Sequence, residues 1–335
     1  MNELEKYIKD SLSVLFLSIF LPLFAIASAV FLVKLATYTA VIQLSVWEMA
    51  KLYFFILPEV LFYIFPLSFF IAATLTLFRL SHDNEIVVLF ALGIKPKFII
   101  KAFLKPAILL SIILIFDFFI LFPHAKVLSK NFISYKTSEA KFNLSASEFG
   151  HSFGEWLLYI GKNNPDGTYA DVILFNKKQK EEVLIDAKKA EIINDNGILR
   201  LKLSKGEGYS YSKEKFTQIN FETMYINDTM QTKLTKYKTA FQYWKNESKH
   251  KKLISNILFS IFPIISLFLV ASIGIVHVRE QKGKVYLYLF LGIIVYDSLT
   301  LGLQGILSYY TIPVLSISWL IITYIIYRKT IVAKF

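Results

Sequence analysis

The sequence predicts an α-helical membrane protein with six transmembrane helices and an all-β, jelly-roll-like domain inserted between the third and the fourth. Three observations carry that prediction. Apolar residues make up 55% of the chain, with a mean hydropathy of +0.51, and they fall in long blocks rather than in the scattered pattern of a soluble core. Lysine and arginine gather in alternate short loops, the asymmetry that orients a multi-pass protein. Between the third and fourth blocks the pattern changes to period-two alternation punctuated by turn residues, which is how short strands read.

The six blocks run from about Ser11 to Val33, Leu52 to Phe78, Phe98 to Phe122, Leu253 to Val276, Val285 to Leu303 and Thr311 to Tyr327. Each is near the ~20 residues a helix needs to cross the hydrocarbon core. They are too long and too uniformly apolar for barrel strands, and helices satisfy their own backbone groups in lipid. Residues 1–123 therefore hold spans one to three, 124–252 an extramembrane domain with its stalk, and 253–335 spans four to six.

Orientation follows from the loops. Arg79, Lys95, Lys97, Lys101 and Lys105 lie between spans two and three, Arg279, Lys282 and Lys284 between spans four and five, and Arg328, Lys329 and Lys334 at the C-terminus. The loop from Ser308 to Pro313 has no charge. The positive-inside rule puts both termini in the cytoplasm and residues 124–252 outside. A cleaved signal peptide is the alternative for span one, with Lys6 and Lys9 as its basic region and Ala25-Ile26-Ala27 as the site. Against it, the apolar run continues through Val33 and five more spans follow.

In the outer segment, Leu199, Leu201 and Leu203 alternate with Arg200 and Lys202, and β-rich runs recur at Trp156–Ile160, Asp171–Phe175, Glu182–Ile185 and Phe216–Ile226. Turns are expected at Asn164–Gly167, Asn194–Gly197 and Gly206–Gly208. Short strands at such spacing predict a sandwich or jelly roll. Beyond Lys233 the alternation fades into a polar, helical stalk.

The chemistry is sparse. There are no cysteines, no GxxxxGK[ST] loop, no GxSxG elbow, and five histidines in no metal-ligand spacing. The net charge of +12 is read as lysines flanking spans and covering a soluble domain, not as a nucleic-acid surface. The chain is thus expected to be no enzyme and to hold no cofactor; any ATP is bound by a partner.

The most informative stretch is Arg79 to Pro96. Ser81 or Asp83 is expected to cap a helix of about two turns, with Asp83 and Glu85 near its positive end. Gly93 would close it in a left-handed conformation, and Pro96 fits the first turn of span three. The helix carries Ile86, Val87, Leu89 and Phe90. It reads either as an interfacial helix in the headgroups or as a knob for a groove in a cytoplasmic protein.

The spacing of Glu85, Ala91 and Gly93, with Pro106 downstream, resembles the coupling-helix motif of ABC-transporter permeases. Together with Leu57-Pro58-Glu59, Phe65-Pro66-Leu67-Ser68 and the Arg79-Leu80 to Gly93 loop, it resembles the LptF/LptG family of lipopolysaccharide-export permeases. Pro66-Leu67-Ser68 and Arg279-Glu-Gln-Lys-Gly283 lean toward the LptF half. The resemblance implies three spans, a periplasmic jelly roll and three spans in the inner membrane of a Gram-negative cell. It also implies a heterodimer with the sister permease, a dimeric ATPase LptB, the membrane-anchored LptC, and lipopolysaccharide as substrate. Glu85, Ile86, Leu89, Phe90, Ala91 and Gly93 would then form the ATPase-coupling surface. A permease for lipoproteins or peptides and a receptor with a β sensor domain remain the competing readings.

For the substrate, Lys34 at the end of span one is either a phosphate-binding point charge or a snorkelling anchor. Leu199, Leu201 and Leu203 share one sheet face, which is either sandwich core or an acyl-chain surface, with edge strands free to pair with a neighbouring jelly roll. Glu59, Asp117 and Asp297 fall inside apolar blocks and are expected to pair within the bundle. Tyr309 and Tyr310 fit an interfacial aromatic belt.

Overall fold

The computed structural model describes residues 2–39, 44–142, 151–153, 156–178, 181–195, 198–212, 215–227, 240–276 and 284–333. The chain divides into two compact units, one formed by 1–33, 53–126 and 237–335, the other by 34–52 and 127–236.

The first unit is helical, and three of its helices extend into residues 34–39, 46–52 and 127–142 of the second. Helices α1 (Asn2–Thr39) and α2 (Val46–His82) have 38 and 37 residues, well beyond the apolar blocks that predict them. Their polar ends continue the helix where no strong stop residue intervenes. A short helix α3 (Glu85–Ala91) follows, then α4 (Pro96–Phe116), which passes through a π-helical turn at Asp117–Leu121 into α5 (Phe122–Phe142). The third apolar block thus continues as a polar helix about five turns past its expected end. After the short α6 (Ala240–Trp244) come α7 (His250–Ile265) and α8 (Leu267–Gly274), bent by 49° where one straight span is expected. Pro263 and Ser266 sit at that break; proline withholds a donor from the ladder, and Trp319 Nε1 donates to Ser266 Oγ at 3.1 Å, bracing the corner.

Four helices among the described residues are long and apolar enough to cross a membrane, or five with the bent α7–α8 pair as one span. One of the four is a 49-residue run, Lys284–Val332, which contains α9 (Lys284–Leu307) and α10 (Thr311–Tyr327). Straight, it would be about 74 Å long. It is not straight: Ser308 has φ 48°, and the rings of Tyr296 and Trp319 lie 5.0 Å apart, so the two helices double back on each other.

Small residues let the helices of this unit approach. Ala72, Ala73, Ala271 and Gly274 are buried, and a Cβ on Gly274 would lie 2.6 Å from Leu77 Cβ and 2.7 Å from the Thr74 carbonyl. Four of the buried hydroxyls turn to backbone: Thr74 to Phe70, Thr76 to Ala72, Ser81 to the Gly274 carbonyl, and Tyr296 to the Leu258 carbonyl at 2.8 Å. In a dry bundle this satisfies polar groups at no cost in partners.

The second unit is built on one antiparallel sheet of six strands in sequential order: β1 (His151–Phe153), β2 (Trp156–Asn163), β3 (Tyr169–Lys178), β4 (Glu181–Asp195), β5 (Ile198–Ser212) and β6 (Lys215–Asn227). The described strands form a meander, without the Greek-key return of a two-sheet jelly roll. A layered core arises differently. The ladder skips Gly161, Asp171, Lys188, Lys205 and Glu222, one residue per strand in a row across the sheet. Asp171 and Lys205 there have φ 55° and 53°. Across this crease the inward residues step by three instead of two: Val172 and Tyr169, Ala187 and Ala190, Gly206 and Leu203, Phe221 and Met224. Both halves therefore present apolar side chains to the same side, and Leu158, Ile160, Val172, Leu174, Ile185, Leu201, Leu203 and Ile226 form one cluster.

Gly206–Gly208, expected as a turn, lies inside β5, paired to Ala187 through Ile185. A side chain at Gly206 would run into the Asp186 carbonyl and the Ala187 Cα. The glycine serves close approach at the crease, not chain reversal. The Asn164–Gly167 turn forms as expected; Gly167 has φ 79°, and Thr168 donates to Asp166 from both backbone and hydroxyl. These bonds hold the Asp166 carboxyl below its usual range. Residues 196–197 and 228–239 lie outside the described residues, and the rest of the expected stalk is helical, in α6, a 3-10 turn at Glu247–Lys249 and the first turn of α7.

Candidate functional site: the α3 surface helix and an ion cluster on α2

Helix α3 has the two-turn length the sequence predicts, but its start is built otherwise. Ser81 is the penultimate residue of α2 and buried, and Asp83 faces Arg79 and His82. The N-cap is Asn84, in the left-handed region at φ 63° with no side-chain cap bond. The end matches expectation. Gly93 has φ 81°, its N–H donates to Phe90 at 2.9 Å, and the Ile94 N–H donates to Leu89 at 3.0 Å. This pair of bonds is the Schellman closure, and glycine allows it without Cβ strain. Lys95 and Pro96 then start α4.

The faces of α3 are unequal. Ile86, expected on the docking knob, is 1% exposed and packs into the helical core with Ile8, Leu12 and Ile99. Phe90 packs partly against the same core, while Leu89 is half-buried. The open face is Val88, Ala91, Leu92 and Gly93, with Leu92 75% exposed. Ile86 is therefore the anchor that holds the knob, because i and i+4 neighbours on a helix share one face and Phe90 follows it inward. Both oxygens of Glu85 accept the Tyr7 hydroxyl, at 3.0 and 2.9 Å.

Glu59 lies 23 residues before the end of α2, about 35 Å along the helix. It pairs as expected: Lys252 donates to it at 2.9 Å and Lys126 at 3.3 Å. Lys252 also sits 4.4 Å from the centroid of the Phe122 ring, which stacks on Trp244, whose Nε1 donates to the Phe119 carbonyl. Asp117 and Asp297 have no side-chain partner among the described residues; Asp117 is buried within the π-helical turn. Lys34 is exposed on α1, which runs on to Thr39. Leu201 and Leu203, at 1% and 0% exposure, fill the core of the β unit, and Leu199 pairs through its backbone with Asn194. Tyr309 and Tyr310 are exposed in a 3-10 turn between α9 and α10. No cluster able to hold a metal occurs among the described residues.

A family model described as lipopolysaccharide export system permease LptF/LptG matches residues 6–327. The chain belongs to this family. No curated protein matches it closely enough to count. The match covers α3, the Glu59 cluster and the sheet together. Members of the family are permease subunits.

Sequence reading singled out Glu59 and Glu85 but not the residues they meet. Lys126 lies just after span three and Lys252 just before span four, and a cation at each of those ends was the available signal. Tyr7 left none, because its contact with Glu85 spans 78 residues.

Proposed function

We propose that this LptF/LptG permease is one half of an ABC exporter that takes lipopolysaccharide from the inner membrane to a periplasmic bridge. A separate cytoplasmic ATPase dimer, LptB, binds the ATP and drives it. The observation that carries this reading is α3: a surface helix with a buried anchor, a fixed end and an open apolar face at Val88 and Leu92. An exposed apolar knob with one carboxylate at its rim fits an apolar groove bordered by a cation.

On this reading the chain crosses the membrane six times, with α9 and α10 as separate spans, both termini and α3 cytoplasmic and the β unit periplasmic. The sister permease and LptC complete the assembly; Pro66-Leu67-Ser68 favours the LptF position for this chain. Ile219 shares the inner side of the sheet with Gly208 and Ile185 yet is 55% exposed, which supports an inner face open to an acyl chain along β6. Pull-down of a tagged chain in detergent, with mass spectrometry of proteins and lipids, tests the assignment. The expected companions are LptB and lipopolysaccharide; recovery of a different transport ATPase with lipoprotein would replace the reading.

A further inference from the structure

The contact between Tyr7 and Glu85 joins the first turns of α1 to the surface helix, and nothing in the reading of α3 as a docking knob requires it. The hydroxyl has one proton, shared here between the two carboxylate oxygens at 3.0 and 2.9 Å. A carboxylate accepts about four hydrogen bonds, so Glu85 keeps acceptor capacity for a cation of a partner while it holds Tyr7. The contact is not isolated. Ile8, next in sequence, is 1% exposed and belongs with Leu12 and Ile86 to one apolar cluster. Two residues before Tyr7, Glu5 takes Lys105 of α4 at 3.2 Å and Lys9 at 2.6 Å. The start of α1 is thus tied to α3 by a charge-assisted bond and an apolar anchor, and to α4 by an ion pair. From there α1 runs on as one helix to Thr39, with Pro22 inside it.

We propose that residues 4–12 form a strap that makes α1 move with α3, with Tyr7 as the positioning residue for Glu85. The proposal rests on α3 being the ATPase contact. A displacement that the ATPase imposes on α3 then passes into α1 directly, and not only through the short connections to α2 and α4. The single hydroxyl contributes little to stability, since both groups are partly exposed; its effect is on coupling. Removing it leaves docking intact and lets hydrolysis run without moving substrate.

The test uses the full complex in proteoliposomes loaded with lipopolysaccharide, with the chain carrying Tyr7→Phe, Glu85→Gln or both. Three quantities are read: ATPase recovered on pull-down, ATP hydrolysis, and lipopolysaccharide released per ATP. Tyr7→Phe is expected to keep recovery and hydrolysis near wild type and to lower release per ATP several-fold. The double variant is expected to be no worse than Glu85→Gln, because Tyr7 acts through that carboxylate. Wild-type release per ATP in Tyr7→Phe, or losses in the double variant that simply add, would overturn the strap. Gly93→Val in the same assay separates the two readings. If it loses the ATPase while Tyr7→Phe stays coupled, only the strap fails; if it keeps the ATPase, the docking role of α3 fails and the strap with it.

Discussion

At the scale of single residues, position in the fold separates readings that composition leaves equal. Glu59 and Asp117 both look like stray acids in apolar blocks, yet two lysines meet the first and, among the described residues, none meets the second. The difference lies in residues far along the chain, Lys126 and Lys252, which no local pattern links to Glu59. Leu201 and Leu203 were legible as one sheet face, and the cluster they fill makes them core. Lys34 keeps two readings, and charge decides between them. A lysine that meets a lipid phosphate depends on sign, so Lys34→Arg is expected to keep most transport, whereas Lys34→Glu loses more than Lys34→Ala. Photocrosslinking of lipopolysaccharide from a probe at Val33, at matched protein abundance, measures it. Equal crosslinking in wild type and Lys34→Glu would leave Lys34 a membrane anchor.

At the scale of elements, helix ends written in local chemistry were readable and those set by packing were not. Gly93 and Pro96 specify the end of α3 and the start of α4, and both stand where expected. The N-terminus of α3 was misread because Ser81 serves the contact with Gly274 and so cannot cap. Glycines misled in β5 for a related reason: alternation with a Gly-x-Gly interruption looks like a turn, whereas the crease needs a residue without a side chain against Asp186 and Ala187. The Gly93 closure has a direct consequence. Valine there would hold a β-branched residue at φ 81°, costing about 1 kcal/mol or more, although no neighbour lies within 4 Å of its Cβ. Gly93→Val is therefore expected to fray α3 and reduce ATPase recovery on pull-down while insertion and abundance hold. Glu85→Lys is expected to do the same by reversing the rim charge. Undiminished recovery in both would remove α3 from the ATPase contact.

At the scale of the whole molecule, the alternation of a helical unit, a β unit and further helices was legible because hydropathy blocks and period-two runs are long-range signals. The meander and its crease were not, since strand order depends on which edges meet and the crease on one residue per strand that drops out of the ladder. Orientation is open to a simple check, because the chain has no cysteine to interfere. With α3 cytoplasmic and the β unit periplasmic, an impermeant thiol reagent on intact spheroplasts should label Lys188→Cys and spare Lys97→Cys, both exposed positions. Labelling of Lys97→Cys under those conditions would contradict the orientation.

The central claim is that this chain carries lipopolysaccharide at the expense of ATP bound elsewhere. It is measured most directly by reconstituting the chain with its sister permease, LptB and LptC in proteoliposomes loaded with lipopolysaccharide, and following transfer to a soluble periplasmic acceptor. The account predicts transfer that requires ATP and LptB and falls away in Glu85→Lys. Transfer that proceeds without ATP, or none in a complex that assembles fully and hydrolyses ATP, would contradict it.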